Sequence, residues 1–81
     1  MKSSDILLSF KLKNLEVWKV DDEVHVRYAN AEIKDGSVLV SASGIGADFE
    51  SACDDYLAKI RGKRLVFDAC TSARKEVVVL G

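Results

Sequence analysis

Residues 44–67, GIGADFESACDDYLAKIRGKRLVF, decide the fold. They read as a strand end, a tight glycine turn, a capped helix, a glycine stop and a new strand. Asp48 stands where an N-cap belongs: its carboxylate can accept the first free amides, and its charge suits the positive helix end. Glu50 adds charge of the same sign to the first turn. Phe49, Ala52, Cys53, Tyr56 and Ile60 recur at steps of three and four, one apolar face of an α-helix, and Leu57 widens it. Asp55 and Lys59 form an i,i+4 pair outside that stripe. Arg61 closes the last turn with a positive charge, and Gly62 supplies the left-handed residue beyond it. The spacing predicts a helix over 49–61 whose charges follow the helix dipole and need no partner.

Upstream the chain reads as sheet. LEVWKV (15–20) is β-branched and aromatic, and Asp21-Asp22 makes a turn. EVHVRY (23–28) alternates, with Val24, Val26 and Tyr28 on a buried face and His25 and Arg27 on a polar one. Residues 29–33 either extend this strand or bulge. Asp35-Gly36 signals a turn. SVLVSAS (37–43) is the next strand, with Val38, Val40 and Ala42 inward and Leu39 partly covered. Residues 1–5 are expected to be loose. Residues 6–12 alternate as Ile6, Leu8, Phe10 and Leu12, which favours a strand or extended arm, although Ile6, Leu7 and Phe10 also fit a short capped helix. Downstream, RLVF (64–67) is a short strand, DACTSARK (68–75) a turn-rich connection, and EVVVL (76–80) an apolar last strand, central or covered on both sides. The expected fold class is α+β: a single antiparallel β-sheet with one main α-helix packed on one face, in the order (arm)-β-β-β-α-β-β.

Composition narrows the function classes. The 81 residues make one small domain, 1–81, and 48% hydrophobic content fills one core without a metal or disulfide. Twelve basic and 13 acidic residues give a net charge of −1, which argues against a strong general attraction to nucleic acid or anionic membrane. No apolar run approaches the roughly 18 residues of a membrane span. MKSSDILLSFKLKN is a poor signal peptide, since a lysine interrupts its short apolar run, so a cytoplasmic location is expected. Cys53 lies on the apolar helix face and Cys70 in a loop; with the sole histidine, His25, they cannot supply a four-ligand zinc site. No cofactor or metal is expected.

The run GIGADFESACDDYLAKI resembles the G-x-T-x-E-E-A strand-to-helix joint of HicB-type antitoxin domains. Asp48 stands at the Thr position, Glu50 and Ser51 at the acidic positions and Ala52 at the Ala. The likeness covers roughly 20 residues and implies a β-β-β-α order. The longer span through GKRLVFDA to Arg74-Lys75-Glu76 is more similar to small uncharacterised phage and prophage proteins, a resemblance that implies no activity.

Catalytic motifs are few. Gly44-x-Gly46 before a helix suggests a phosphate cradle, but Asp48 brings its own negative charge to that helix end, and neither a dinucleotide glycine spacing nor a Walker lysine-serine pair follows. His25 has no evident nucleophile or carboxylate partner for general-base work. Asp54 and Asp55 diverge by about 100° on a helix and do not converge on one point. No catalytic residue is assigned. Two readings remain. One is a non-enzymatic interaction module of phage or prophage type, acting through a sheet edge or uncovered sheet face with Trp18, Leu39, Val78 and Leu80 as contacts. Its partner is an unknown protein or another copy of the chain, unless the N-terminal arm folds back over the surface. The other is a nucleic-acid-binding domain in which the helix end and last hairpin bring together Arg61, Lys63, Arg64, Arg74 and Lys75.

Overall fold

In the computed structural model, which describes residues 1–10 and 14–79, the chain runs α1 (Ser3–Leu8), β1 (Leu15–Val20), β2 (Glu23–Tyr28), β3 (Ala31–Asp35), β4 (Val38–Val40), β5 (Gly44–Gly46), α2 (Phe49–Ile60), β6 (Arg64–Phe67) and β7 (Lys75–Val78). The fold is α+β with antiparallel strands and a main helix, as the sequence implies. There are two sheets rather than one: β1-β2-β5 and β4-β3-β6-β7.

The division has a simple origin. Residues 23–35 and 38–46 form one long hairpin turning at Gly36, whose φ is 62°. Between the pairs Val26↔Gly44 and Ile33↔Val40, the first arm advances seven residues and the second only four. Three surplus residues cannot stay in a flat ladder, so the arm bulges at Ala29-Asn30 and the sheet breaks there. Asn30 takes a left-handed φ of 58°. The freed backbone groups find partners on both flanks: Ala29 N–H donates to the Asn14 carbonyl at 2.8 Å, and the Asn30 carbonyl accepts from Asp68 N–H at 3.1 Å.

Helix α2 starts as expected and stops one residue earlier than expected, at Ile60, with Arg61 as its cap. Asp48 caps it, accepting the Ser51 N–H at 2.8 Å, and Gly62 follows it at φ 74°. Its buried face is Ala52, Cys53, Tyr56, Leu57 and Ile60, while Phe49 remains about a third exposed. Against that face pack Leu7, Val26, Tyr28, Leu65, Phe67 and Val79, so the inner faces of both sheets share one core. Burial raises the Cys53 thiol to about 11, which keeps it neutral and inert.

Several expectations change. The N-terminal segment is a helix, not a strand or loose arm, and it docks on α2. Leu7 is fully buried there, and Ser4 donates both its N–H and its hydroxyl to Glu50. That packing decides a segment whose pattern was compatible with either structure; residues 11 and 12 of the 6–12 run lie outside the described residues. The 37–43 strand is shorter, and Val38 and Val40 are exposed because β4 is an edge that overhangs the core. Gly44-Ile45-Gly46 is not a turn but a strand pressed against α2. The last strand is an edge rather than a central strand, and Val78 is exposed.

Three carboxylates sit below their ordinary range. Asp48 is lowered by hydrogen bonds from Ser51, Asp55 by the Ile45 N–H and Lys59, and Glu76 chiefly by Arg74, with Lys34 and Arg64 adding to it. A carboxylate lowered by folding stabilises the native state above the unfolded value near pH 4, and the gain is lost as pH falls through the folded value. The urea midpoint will therefore fall on going from about pH 5 to pH 2.5, and Asp48→Asn will flatten part of that decline. A midpoint constant over that window would contradict these contacts.

Candidate interaction surface

Side chains alternate along a strand, so the buried Val26 and Tyr28 set the orientation of β1 through its register. Leu15 and Val17, opposite Tyr28 and Val26, point to the inner side. Glu16, Trp18 and Val20 point outward, opposite Arg27, His25 and Glu23. Yet β1 is the end strand of its sheet, and five of its six residues are exposed. Val17 is 51% exposed, Val20 45% and Trp18 37%. Helix α2 covers β5 and β2, which leaves β1 projecting beyond the core with apolar surface on both faces.

The outer face of β1 and β2 is pre-arranged. Trp18 stacks on His25 with ring centroids 5.4 Å apart and an interplanar angle of 29°. The Arg27 guanidinium lies 5.2 Å from the Trp18 ring centre and pairs with Glu16 at 3.2 Å. These contacts fix the position of the Trp18 ring. His25 Nε2 is enclosed and has no hydrogen-bond partner among the described residues. An unpaired buried nitrogen costs about 1–3 kcal/mol. His25→Phe keeps an aromatic surface for Trp18 and removes that nitrogen, so the variant will be at least as stable as the parent by urea unfolding. A loss of more than about 1 kcal/mol would show that the nitrogen is satisfied in solution.

The other sequence-predicted contacts lie elsewhere. Leu39, Lys34, Arg64 and Val78 form one cross-strand row over the second sheet, so Leu39 and Val78 occupy its opposite edges with two cations between them. Trp18 is on the other sheet, and Leu80 lies outside the described residues. The basic residues also separate. Arg64 and Arg74 converge on Glu76 at 3.3 and 3.1 Å, joined by Lys34 at 3.7 Å. Lys75 pairs with Phe67 and points to the opposite face of that sheet from Arg64. Arg61 and Lys63 flank Gly62 beyond α2 and are exposed. Lys34 is the member that sequence reading missed; its place opposite Arg64 depends on a strand pairing that local pattern does not reveal.

A cleft of about 480 Å³ opens at the bulge, lined in part by Arg27, Asn30, Glu32, Asp68, Cys70 and Thr71. Its lining does not include His25, and among the described residues no hydrogen bond joins the Cys70 thiol to Asp68 or Glu32. Among the described residues no three His, Cys, Asp or Glu side chains gather into a metal-holding group, and no helix is long and apolar enough to cross a membrane. No protein-family model, curated protein or solved structure matches the chain.

Proposed function

We propose that this protein is a non-enzymatic interaction module that takes up an extended polypeptide segment along the open edge of β1. A single observation carries the reading: β1 is an end strand exposed on both faces, with Trp18 already held by His25 and Arg27. Main-chain hydrogen bonds along such an edge supply affinity, and side chains on its two faces supply selectivity. A setting in the cytoplasm suits the exposed Cys70, which would remain a thiol there. An accessory role of phage or prophage type rests on the sequence resemblance alone.

The nucleic-acid reading has less support, because Glu76 draws Arg64 and Arg74, together with Lys34, onto itself and Lys75 points to the opposite face of the sheet from Arg64. Fluorescence anisotropy with labelled mixed-sequence duplex or single strand at about 50 mM salt separates the two readings; salt-sensitive binding there would favour the basic residues. The interaction reading is tested in the native host with a photo-crosslinking amino acid in place of Lys19. It predicts discrete polypeptide adducts from that position and none from Asp54, on the exposed side of α2. Absence of adducts at position 19 would overturn it.

A further inference from the structure

The hydrogen bonds around β1 determine which of its backbone groups face the open edge. Ile45 N–H donates to the Asp55 carboxylate at 2.9 Å, so it does not face β2. Ile45 and His25 are therefore a non-hydrogen-bonded pair, and His25 directs its backbone groups toward β1. Two further bonds agree. Tyr28, of opposite parity, sends its N–H away from β1 to the Tyr56 hydroxyl at 3.0 Å, and Ala29 N–H bonds to the Asn14 carbonyl on the β1 side. The alternation then continues across β1: residues 16, 18 and 20 bond to β2, and the N–H and C=O groups of Leu15, Val17 and Lys19 point outward.

An added strand must match this set of three. The strand itself does so. We propose that β1 pairs with β1 of a second copy about a two-fold axis at Val17, joining the two three-stranded sheets into one of six strands. This rests on the reading of β1 as a strand-addition edge and names its partner. An antiparallel two-fold pairing keeps both outer faces on the same side, so residues meet partners of the same parity. Centring on Val17 gives three hydrogen-bonded pairs: Val17 with the partner's Val17, and Leu15 with the partner's Lys19 twice. Centring on Trp18 leaves only the Val17–Lys19 pairs, because Asp21 is already in the turn at φ 53°. Centring on Glu16 or Lys19 sets like charges directly opposite each other, which is destabilising.

The side chains suit the Val17 register. On the inner face the two exposed valines cover each other, and each Lys19 lays its stem along the partner's Leu15. On the outer face each Glu16 lies opposite the partner's Trp18, whose ring already carries a guanidinium. Glu16 thus gains a second cation beyond its own Arg27. Helix α1 does not compete for this edge, because it is committed to α2 through Leu7 and Ser4.

Sedimentation equilibrium of the full chain at about 100 µM gives the first test, since association of this kind lies in the micromolar range for an interface of modest area. A two-chain mass is expected. Val17→Pro removes the central outward N–H at an edge position where proline is tolerated, and will give a folded monomer by circular dichroism. Should that variant lose its fold, Val17→Glu sets two carboxylates at the axis and will separate the copies with the strand otherwise unchanged. In a Cys70→Ser background, Val17→Cys will form an inter-chain disulfide under mild oxidation and Val20→Cys will not. A monomeric parent, or a dimer insensitive to both Val17 substitutions, would overturn the proposal. If the parent is monomeric but position 19 crosslinks to a different polypeptide in the host, the edge reading stands and only the second copy is ruled out.

Discussion

Gly44→Ala will cost this domain about 3 kcal/mol or more and lower its thermal midpoint by about 15 °C. The reason is the distance between β5 and α2, not the backbone angle at the glycine. A Cβ built on Gly44 would collide with the Ala52 carbonyl oxygen and with the Cβ of Tyr56. One obstacle is helix backbone and the other the root of a fully buried side chain, so neither can swing aside. The strand or the helix would have to withdraw, opening the seam through Ala52, Cys53 and Tyr56 that the whole core shares. Gly46 meets the same wall one pleat further on, with Ala52 N and Ser51 Cβ both 2.6 Å from its added Cβ. Gly36→Ala provides the contrast. Nothing stands within 4 Å of its Cβ, so only its left-handed φ of 62° resists, at about 1 kcal/mol. Thermal unfolding of the three variants by circular dichroism will order them as Gly44 and Gly46 far below Gly36. Similar midpoints for all three would mean that β5 and α2 are not packed this closely.

The glycines also show where the sequence could be read and where it could not. The helix was legible residue by residue because its cap, its apolar spacing and its glycine stop are all local signals. Gly44 and Gly46 were legible as small residues before a helix, but a turn and a tight strand–helix crossing both demand small residues there. Only the pairing with β2 separates the two. Charges show the same limit. Glu50 suits the helix dipole and Asp55 pairs with Lys59 along the helix, and nothing within the helix reveals that Glu50 takes both polar groups of Ser4 and Asp55 the N–H of Ile45. Partners 46 and 10 residues away are decided by tertiary packing. The bulge was visible only as a weak stretch in 29–33, since the surplus of three residues exists relative to the opposite arm and not within the segment. Trp18 was legible as a candidate contact on a sheet edge or uncovered sheet face. The open edge that gives it meaning follows from strand order, which alternation does not encode.

Tyr56→Phe will lower stability by about 2 kcal/mol, although it removes a single oxygen from a side chain that keeps its ring. At the end of β2 the sheet breaks, and the Tyr28 N–H loses the partner a continuous ladder would supply. The Tyr56 hydroxyl accepts it at 3.0 Å inside the core, where both side chains are about 1% exposed. Without that oxygen a buried donor stands unpaired. Burial holds the hydroxyls of Tyr28 and Tyr56 above their ordinary pKa. Both stay protonated in the folded state, and stability is retained up to the unfolded value near pH 10 and lost as pH rises through the folded values. The Tyr28 hydroxyl in turn donates to the Leu7 carbonyl at 2.7 Å, so one tyrosine links the bulge to α2 by its backbone and to α1 by its side chain. Tyr28→Phe will therefore loosen α1 locally, whereas Tyr56→Phe acts on the bulge and on the global midpoint. Amide exchange distinguishes them: in Tyr56→Phe the Tyr28 amide loses protection, and in Tyr28→Phe the Ile6 amide of α1 does. If Tyr56→Phe unfolds at the parent's urea concentration with the Tyr28 amide still protected, the bulge is held by something other than the helix.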